Sequence, residues 1–104
     1  MADKTDAVKL LKEGGSLRIS PVGDSMLPLL RSQIDEVVIA PTTWEEVKKN
    51  DIVLFRGNKN LLTLHRVCRI DKDCFYAVGD GQTKIEGPVD KSLLYGKVNL
   101  IIKN

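Results

Sequence analysis

The chain lacks the run of ~20 apolar residues that a membrane-spanning helix requires, and it begins with no secretory signal peptide. It also lacks a basic stripe interleaved with aromatic residues. Its 16 Lys and Arg residues are scattered among 14 Asp and Glu residues, which leaves a net charge of only +2. These absences predict a soluble, cytoplasmic protein that does not bind nucleic acid, with peripheral attachment to a membrane as the alternative.

Cysteine and histidine are scarce. Cys68 and Cys74 flank a predicted hairpin, and we expect two reduced, half-buried thiols there, with a disulfide between them as the alternative. Together with His65, the only histidine, they do not supply the four well-spaced ligands of a zinc site. The sequence therefore predicts neither a metal nor a cofactor.

What is present predicts one small, mostly-β domain. A length of 104 residues with 42% hydrophobic content suits a single core. Residues 1–15 form an N-terminal helical segment, with an amphipathic helix over residues 3–13, and residues 16–104 form the β domain. Short apolar runs separated by Gly, Asn and Asp turns predict strands at 17–22, 36–40, 51–55, 61–70, 74–78 and 96–102, and a helical turn at 90–94.

A serine is presented on the turn that follows the first predicted strand. The run 17–22 ends in Gly23-Asp24, Ser25 comes next, and Pro28 limits any helix that starts behind it. A nucleophile would be held on such a turn, although Gly-Asp-Ser between strands is ordinary turn chemistry as well. The G-x-S-x-G elbow of α/β-hydrolases is absent, because Leu27 stands at its second glycine position.

Three motifs, in order, resemble a known family. Residues 23–30 read Gly-Asp-Ser-Met-Leu-Pro-Leu-Leu, residues 50–55 read Asn-Asp-Ile-Val-Leu-Phe, and Leu-His-Arg-Val at 64–67 is followed by Val-Gly-Asp at 78–80. They are similar to the serine box, the Gly-Asp-Ile-Val-x-Phe strand and the (Lys or His)-Arg-Val and Gly-Asp boxes of type I signal peptidases and LexA-like self-cleaving peptidases. Because His65 stands where bacterial members have Lys, the chain resembles the endoplasmic-reticulum and archaeal variant.

The resemblance implies the small coiled, barrel-like β-sheet of that superfamily and a serine peptidase site. Ser25 would be the nucleophile and His65 the general base, since a pKa near 6.5 suits proton transfer at neutral pH. Asp80 is the favoured third member that orients the ring, and Glu86 is the alternative. Met26 would shape an apolar substrate pocket.

The chain departs from the family at the oxyanion hole. Signal peptidases commonly have Ser two positions before the nucleophile, whereas this chain has Gly23, so the backbone N–H of Ser25 would do most of the work. Asp24 would place a carboxylate beside the developing negative charge.

The sequence thus predicts a serine endopeptidase that hydrolyses an extended leader or signal-like peptide, bound as an added β-strand. Strand 17–22 would provide the edge for that peptide, and a membrane-associated partner is conceivable. The departures at Gly23 and Asp24 motivate the alternative, a weakly active or inactive peptide-binding module on the same fold.

Overall fold

The computed structural model describes residues 4–104, with side chains from Asp6 onward. It contains one helix and seven strands: α1 (Lys4–Lys12), β1 (Leu17–Ile19), β2 (Glu36–Ala40), β3 (Ile52–Arg56), β4 (Leu62–Ile70), β5 (Cys74–Val78), β6 (Glu86–Asp90) and β7 (Leu94–Ile102). The mostly-β prediction with a short N-terminal helix is confirmed. Asp3, the first residue of the predicted helix, lies outside the described residues. None of the helices within residues 4–104 is both long and apolar enough to cross a membrane.

All seven strands belong to one antiparallel sheet in the order β1-β2-β7-β3-β4-β5-β6. The sheet is open, because β1 and β6 are its two edges and do not pair with each other. β3 is the central strand of the sheet, and the two longest strands, β4 and β7, pair with it on either side.

Successive side chains of β3 point to opposite faces of the sheet, and each face carries its own hydrophobic core. Ile52 and Leu54 point to a first cluster that includes Leu11 of α1 and Met26 of the serine turn. Val53 and Phe55 point to the other face of the sheet and pack in a second cluster. The members of this second cluster are Val47, Val53, Phe55, Val67, Phe75, Ala77 and Val89.

Two edge strands differ from the sequence prediction. The predicted strand 17–22 pairs only over Leu17–Ile19. Pro21 has no N–H to donate to a ladder, and the hydroxyl of Ser20 donates to the backbone oxygen of Asp35 instead. Strand β6 was not predicted, because Gly87-Pro88 interrupts any alternating pattern. It forms as an edge strand because its register shifts at Gly87-Pro88, opposite Tyr76, which leaves the proline outside the regular pairing with β5.

The two cysteines are free thiols on neighbouring strands. Cys68 lies in β4, where its thiol donates to the backbone oxygen of Tyr76 at 3.4 Å, and Cys74 begins β5. Both are half-buried, as predicted.

Asn50 stands where the motif that residues 50–55 resemble has glycine, and its backbone conformation explains why asparagine is tolerated there. Its φ is +82°, in the left-handed region, where the motif has glycine. Its N–H donates to the oxygen of Val67 at 2.8 Å, and its own oxygen accepts from Arg66 at 2.8 Å. Asparagine is one of the few residues with a side chain that tolerate this conformation.

We therefore expect Asn50→Gly to leave the free energy of unfolding nearly unchanged and Asn50→Val to lower it by about 1–2 kcal/mol. Urea titration monitored by Trp44 fluorescence would measure both. Equal stability of the valine and glycine variants would contradict this interpretation.

Candidate active site

The turn that carries Ser25 is built by local hydrogen bonds. Gly23 has a φ of +102°, and its N–H donates to the hydroxyl of Ser32 at 2.8 Å. The N–H of Leu27 then donates to Asp24, and the N–H of Leu30 to Met26. Met26 and Leu30 are buried in the first core cluster, so the turn is anchored on the apolar side and leaves Ser25 half-buried at the surface.

The segment after β5 packs directly on this turn. The N–H of Gly81 donates to the backbone carbonyl oxygen of Ser25 at 2.8 Å. The N–H of Asp80 donates to the sulfur of Met26 at 3.4 Å. A Cβ at Gly79 would stand 2.3 Å from the Ser25 oxygen. The Gly-Asp box of the sequence therefore holds the backbone of the serine turn through close contact that only glycine permits.

His65 lies on β4 opposite Val53 and points to the same face of the sheet as the second core cluster. Its side chain is 7% exposed, and the ring of Phe55 meets it edge-on at a centroid distance of 6.2 Å. Arg66 pairs with Val78, so one further step along the two strands places His65 opposite Gly79. A Cβ built at Gly79 would meet the backbone of Ser25.

Glu86 is the carboxylate that faces the ring. Its Oε1 lies 3.4 Å from Nδ1 of His65, and its Oε2 accepts from the N–H of Asn58 at 3.0 Å. Nδ1 is buried and has no hydrogen-bond partner among the described residues. Burial lowers the pKa of His65, and the charges of Glu86 and Asp80 partly oppose this by raising it. The lowered pKa favours the neutral form of the ring.

Asp80, favoured from the sequence as the orienting residue, is engaged elsewhere. Its two carboxylate oxygens accept from Nε and Nη2 of Arg66 at 2.8 and 2.9 Å. Arg66 follows His65 directly in β4, so its side chain lies on the opposite face of the strand. Asp80, which pairs with Arg66, is therefore bound on the face away from the His65 ring. Glu86, the alternative, is thus the carboxylate that faces Nδ1, whereas Asp80 joins Arg66 of β4 to the Gly79–Gly81 segment.

A cleft of about 470 Å³ contains the predicted site residues Ser25, His65, Gly23 and Met26 in its lining. Its lining includes two continuous stretches of the chain, residues 19–23 and residues 61–65. The hydroxyl of Ser25 makes no hydrogen bond to His65 or to any other residue in the described part of the chain. In free enzymes, catalytic hydrogen bonds are often absent or long and close only around substrate.

The backbone N–H of Ser25 is also without a partner within residues 4–104. It is thus available as an oxyanion donor. Gly23 offers no such donor, because its N–H is already bonded to Ser32. The side chain of Asp24 is exposed, so its carboxylate is solvated at the outer surface of the turn.

The described residues contain no group of three or more His, Cys, Asp or Glu side chains that could hold a metal ion. No family model matches the sequence, and no curated protein matches it significantly. The chemistry of this site therefore has to be argued from its own geometry.

Sequence reasoning missed three parts of this site. Strand β6, which delivers Glu86, has no periodic pattern. Asn58 acts through its backbone, and Ala7 of α1 reaches the cleft only because the helix packs beside β1. The one available signal was Gly57, a glycine in a hairpin loop directly before the His-Arg-Val strand.

Proposed function

We propose that this protein is a serine endopeptidase in which Ser25 is the nucleophile, His65 the general base and Glu86 the carboxylate that orients the base. The observation that carries the proposal is the arrangement around one cleft. Ser25 and His65 both line it, and Glu86 stands 3.4 Å behind Nδ1 of the ring. A serine, a base and an orienting acid in this order form the arrangement that activates a hydroxyl.

In the proposed reaction, the Ser25 hydroxyl attacks the carbonyl carbon of the scissile amide while Nε2 of His65 takes its proton. The C–O bond forms, the negative charge goes to the carbonyl oxygen, and the N–H of Ser25 stabilises it. The imidazolium then gives the proton to the leaving amine as the C–N bond breaks. Water, activated by the same nitrogen, hydrolyses the acyl-serine.

The shape of the cleft supports an extended peptide as substrate. β1 pairs only with β2, and the pairing of β4 with β5 starts at Arg66, so residues 62–65 have no described strand partner on that side. A peptide lying in the cleft would therefore find free backbone groups mainly along residues 62–65. On the opposite side, the oxygen of Pro21 already accepts from the N–H of Gln33, and the N–H of Gly23 donates to Ser32. Apolar residues dominate the lining, among them Ile19, Leu30, Leu54 and Leu64, which favours small apolar side chains before the cut, as in a leader or signal-like peptide.

An acylating serine-protease reagent tests the proposal. We expect stoichiometric labelling of the protein, with the modified peptide containing Ser25, and loss of that label in Ser25→Ala. Mass spectrometry of the intact and digested protein provides the measurement. His65→Ala should reduce the labelling rate by about 10²–10⁴-fold, because the base is removed while the hydroxyl stays.

Ser92 is the matched control, since it is an exposed serine outside the cleft. Ser92→Ala should label like the wild type. Labelling that persists in Ser25→Ala would refute the assignment of the nucleophile.

A peptide-binding module is the second candidate. It is favoured by the missing bond between Ser25 and His65 and by the single oxyanion donor. This candidate predicts that an extended apolar peptide binds wild type and Ser25→Ala with equal affinity and is recovered uncut. Titration calorimetry and mass spectrometry of the recovered peptide distinguish the two functions.

A further inference from the structure

We propose that the loop between β3 and β4 is a positioning device for the base, with the Asn58 N–H and the side-chain-free Gly57 holding Glu86 against His65. This inference rests on the proposed function and deepens it, because it names backbone groups on which the orientation of the base depends.

The first contact is a hydrogen bond. The N–H of Asn58 donates to Oε2 of Glu86 at 3.0 Å, and the other oxygen of the same carboxylate lies 3.4 Å from Nδ1 of His65. The carboxylate is thus fixed at one oxygen by the loop and directed at the ring with the other. The Glu86 side chain is only 14% exposed, so water competes weakly for it.

The second contact is a steric one. A Cβ at Gly57 would lie 2.5 Å from Oε2 of Glu86 and 3.0 Å from the hydroxyl oxygen of Thr63. The backbone of Gly57 is extended, with φ at −97°, so the residue is not required for a left-handed turn. The space that its missing side chain leaves is the space that the carboxylate occupies.

The same loop borders the cleft. The N–H of Gly57 donates to the oxygen of Leu61 at 2.8 Å, and Leu61, Leu62 and Thr63 line the cleft beside His65. A peptide that pairs with residues 61–65 would therefore contact the hairpin that holds Glu86.

The single histidine makes a direct test possible, because its ring protons give one set of NMR signals whose pH titration reports the pKa of His65. The charged groups that act on this ring are Glu86 from β6 and Asp80 from the segment after β5. Glu86→Gln removes the first, so the pKa of His65 should fall further below its ordinary value. Asn58→Pro and Gly57→Ala should lower it in the same direction.

Asn58→Pro is a narrow change. Asn58 begins a tight turn and follows the extended Gly57, so a proline is sterically acceptable at position 58. The change removes the N–H together with the Asn58 side chain. Asn58→Ala keeps that N–H and should keep the wild-type pKa. Adding Glu86→Gln to Asn58→Pro should lower the pKa no further than Glu86→Gln alone.

The labelling rate of Ser25 should fall by about 10²-fold in Asn58→Pro and Gly57→Ala, because a misplacement of about 1 Å in a catalytic group costs that much. A wild-type His65 pKa in folded Asn58→Pro and Gly57→Ala would overturn the positioning role, as would a pKa indifferent to Glu86→Gln. Failure of the proposed function has a different signature, namely no labelling of Ser25 in the wild-type protein whatever the His65 titration shows.

Discussion

Gly79→Ala is expected to reduce the rate of acylation of Ser25 by about 10²-fold. The new methyl group would lie 2.3 Å from the oxygen and 3.0 Å from the carbonyl carbon of Ser25. Both atoms belong to the backbone, so no rotation of a side chain relieves the contact. The serine turn would have to move by about 1 Å to restore an ordinary separation, and its hydrogen bond from Gly81 would be strained.

The same substitution should lower the free energy of unfolding by about 1–3 kcal/mol, the usual cost of overpacking a buried site. Urea denaturation measures the free energy of unfolding. Labelling of Ser25 followed by mass spectrometry measures the rate of acylation.

Gly15→Ala is the matched control for this prediction. Its Cβ would approach the tip of the Leu10 side chain at 2.5 Å, and Leu10 is 41% exposed and free to turn away. Acylation and stability in this variant should stay close to those of the wild type. If Gly79→Ala also behaved like the wild type in both measurements, the close contact with Ser25 would not be a constraint on the site.

Asp35→Asn is expected to lower Tm by roughly 10 °C, the largest loss of stability that we anticipate from a single polar substitution in this chain. The side chain of Asp35 is fully buried, yet its carboxylate accepts from five donors. Three belong to Arg31, namely the backbone N–H at 2.9 Å, Nε at 3.1 Å and Nη2 at 2.8 Å. The others are Nζ of Lys103 at 2.6 Å and the N–H of Asn104 at 3.1 Å.

These bonds join the end of the serine turn to the segment that follows β7. Lys103 also donates to the backbone oxygen of Leu29, inside the turn. An amide at position 35 has one acceptor oxygen for five donors, and its NH₂ group would face cations. The loss should therefore exceed that from an ordinary surface ion pair.

The effect of Asp35 should depend on pH. Hydrogen bonds from Arg31 and then Lys103 hold the pKa of the Asp35 carboxyl far below its ordinary value. A lowered pKa in the folded state stabilises the protein above the unfolded value of about 3.9, and this contribution is lost as the pH falls below it. The difference in Tm between wild type and Asp35→Asn should be wide at pH 7 and should narrow below about pH 4.

Calorimetric melts of both proteins from pH 7 to below about pH 4 would measure the difference in Tm. The titration of all other carboxylates affects both proteins equally and does not contribute to this difference. Asp73→Asn is the control, because Asp73 forms an exposed surface pair with Lys91 and its loss should change Tm little. A Tm difference that is constant with pH would show that Asp35 acts through packing and not through its charge.

The sequence predicted the central strands well because their patterns are strong. Strands β2 and β5 begin and end where the alternating apolar runs do, and β3 and β4 differ from prediction by one residue. Alternation alone also places His65 and Arg66 on opposite faces of β4, since neighbouring residues in a strand point to opposite sides.

The edges of the sheet could not be predicted in the same way. β1 pairs with β2 only over Leu17–Ile19, opposite residues 37–39, and the extent of this ladder depends on pairing between distant segments. β6 contains Gly87 and Pro88, and only its place at the edge of the sheet allows it to be a strand. Local propensity carries no information on which strand lies at an edge.

By itself, the sequence determined the mostly-β fold, the serine turn, and the choice of Ser25 and His65 as candidate nucleophile and base, because these depend on residue type and short-range pattern. Only the tertiary structure shows which of the two acids faces the ring of His65. Asp80 and Glu86 both follow β5, and both are carboxylates within reach of β4 in principle. Arg66 engages Asp80 on one face of the strand, and the Asn58 N–H presents Glu86 to His65 on the other. That choice depends on pairing and face across three strands, which no local pattern encodes.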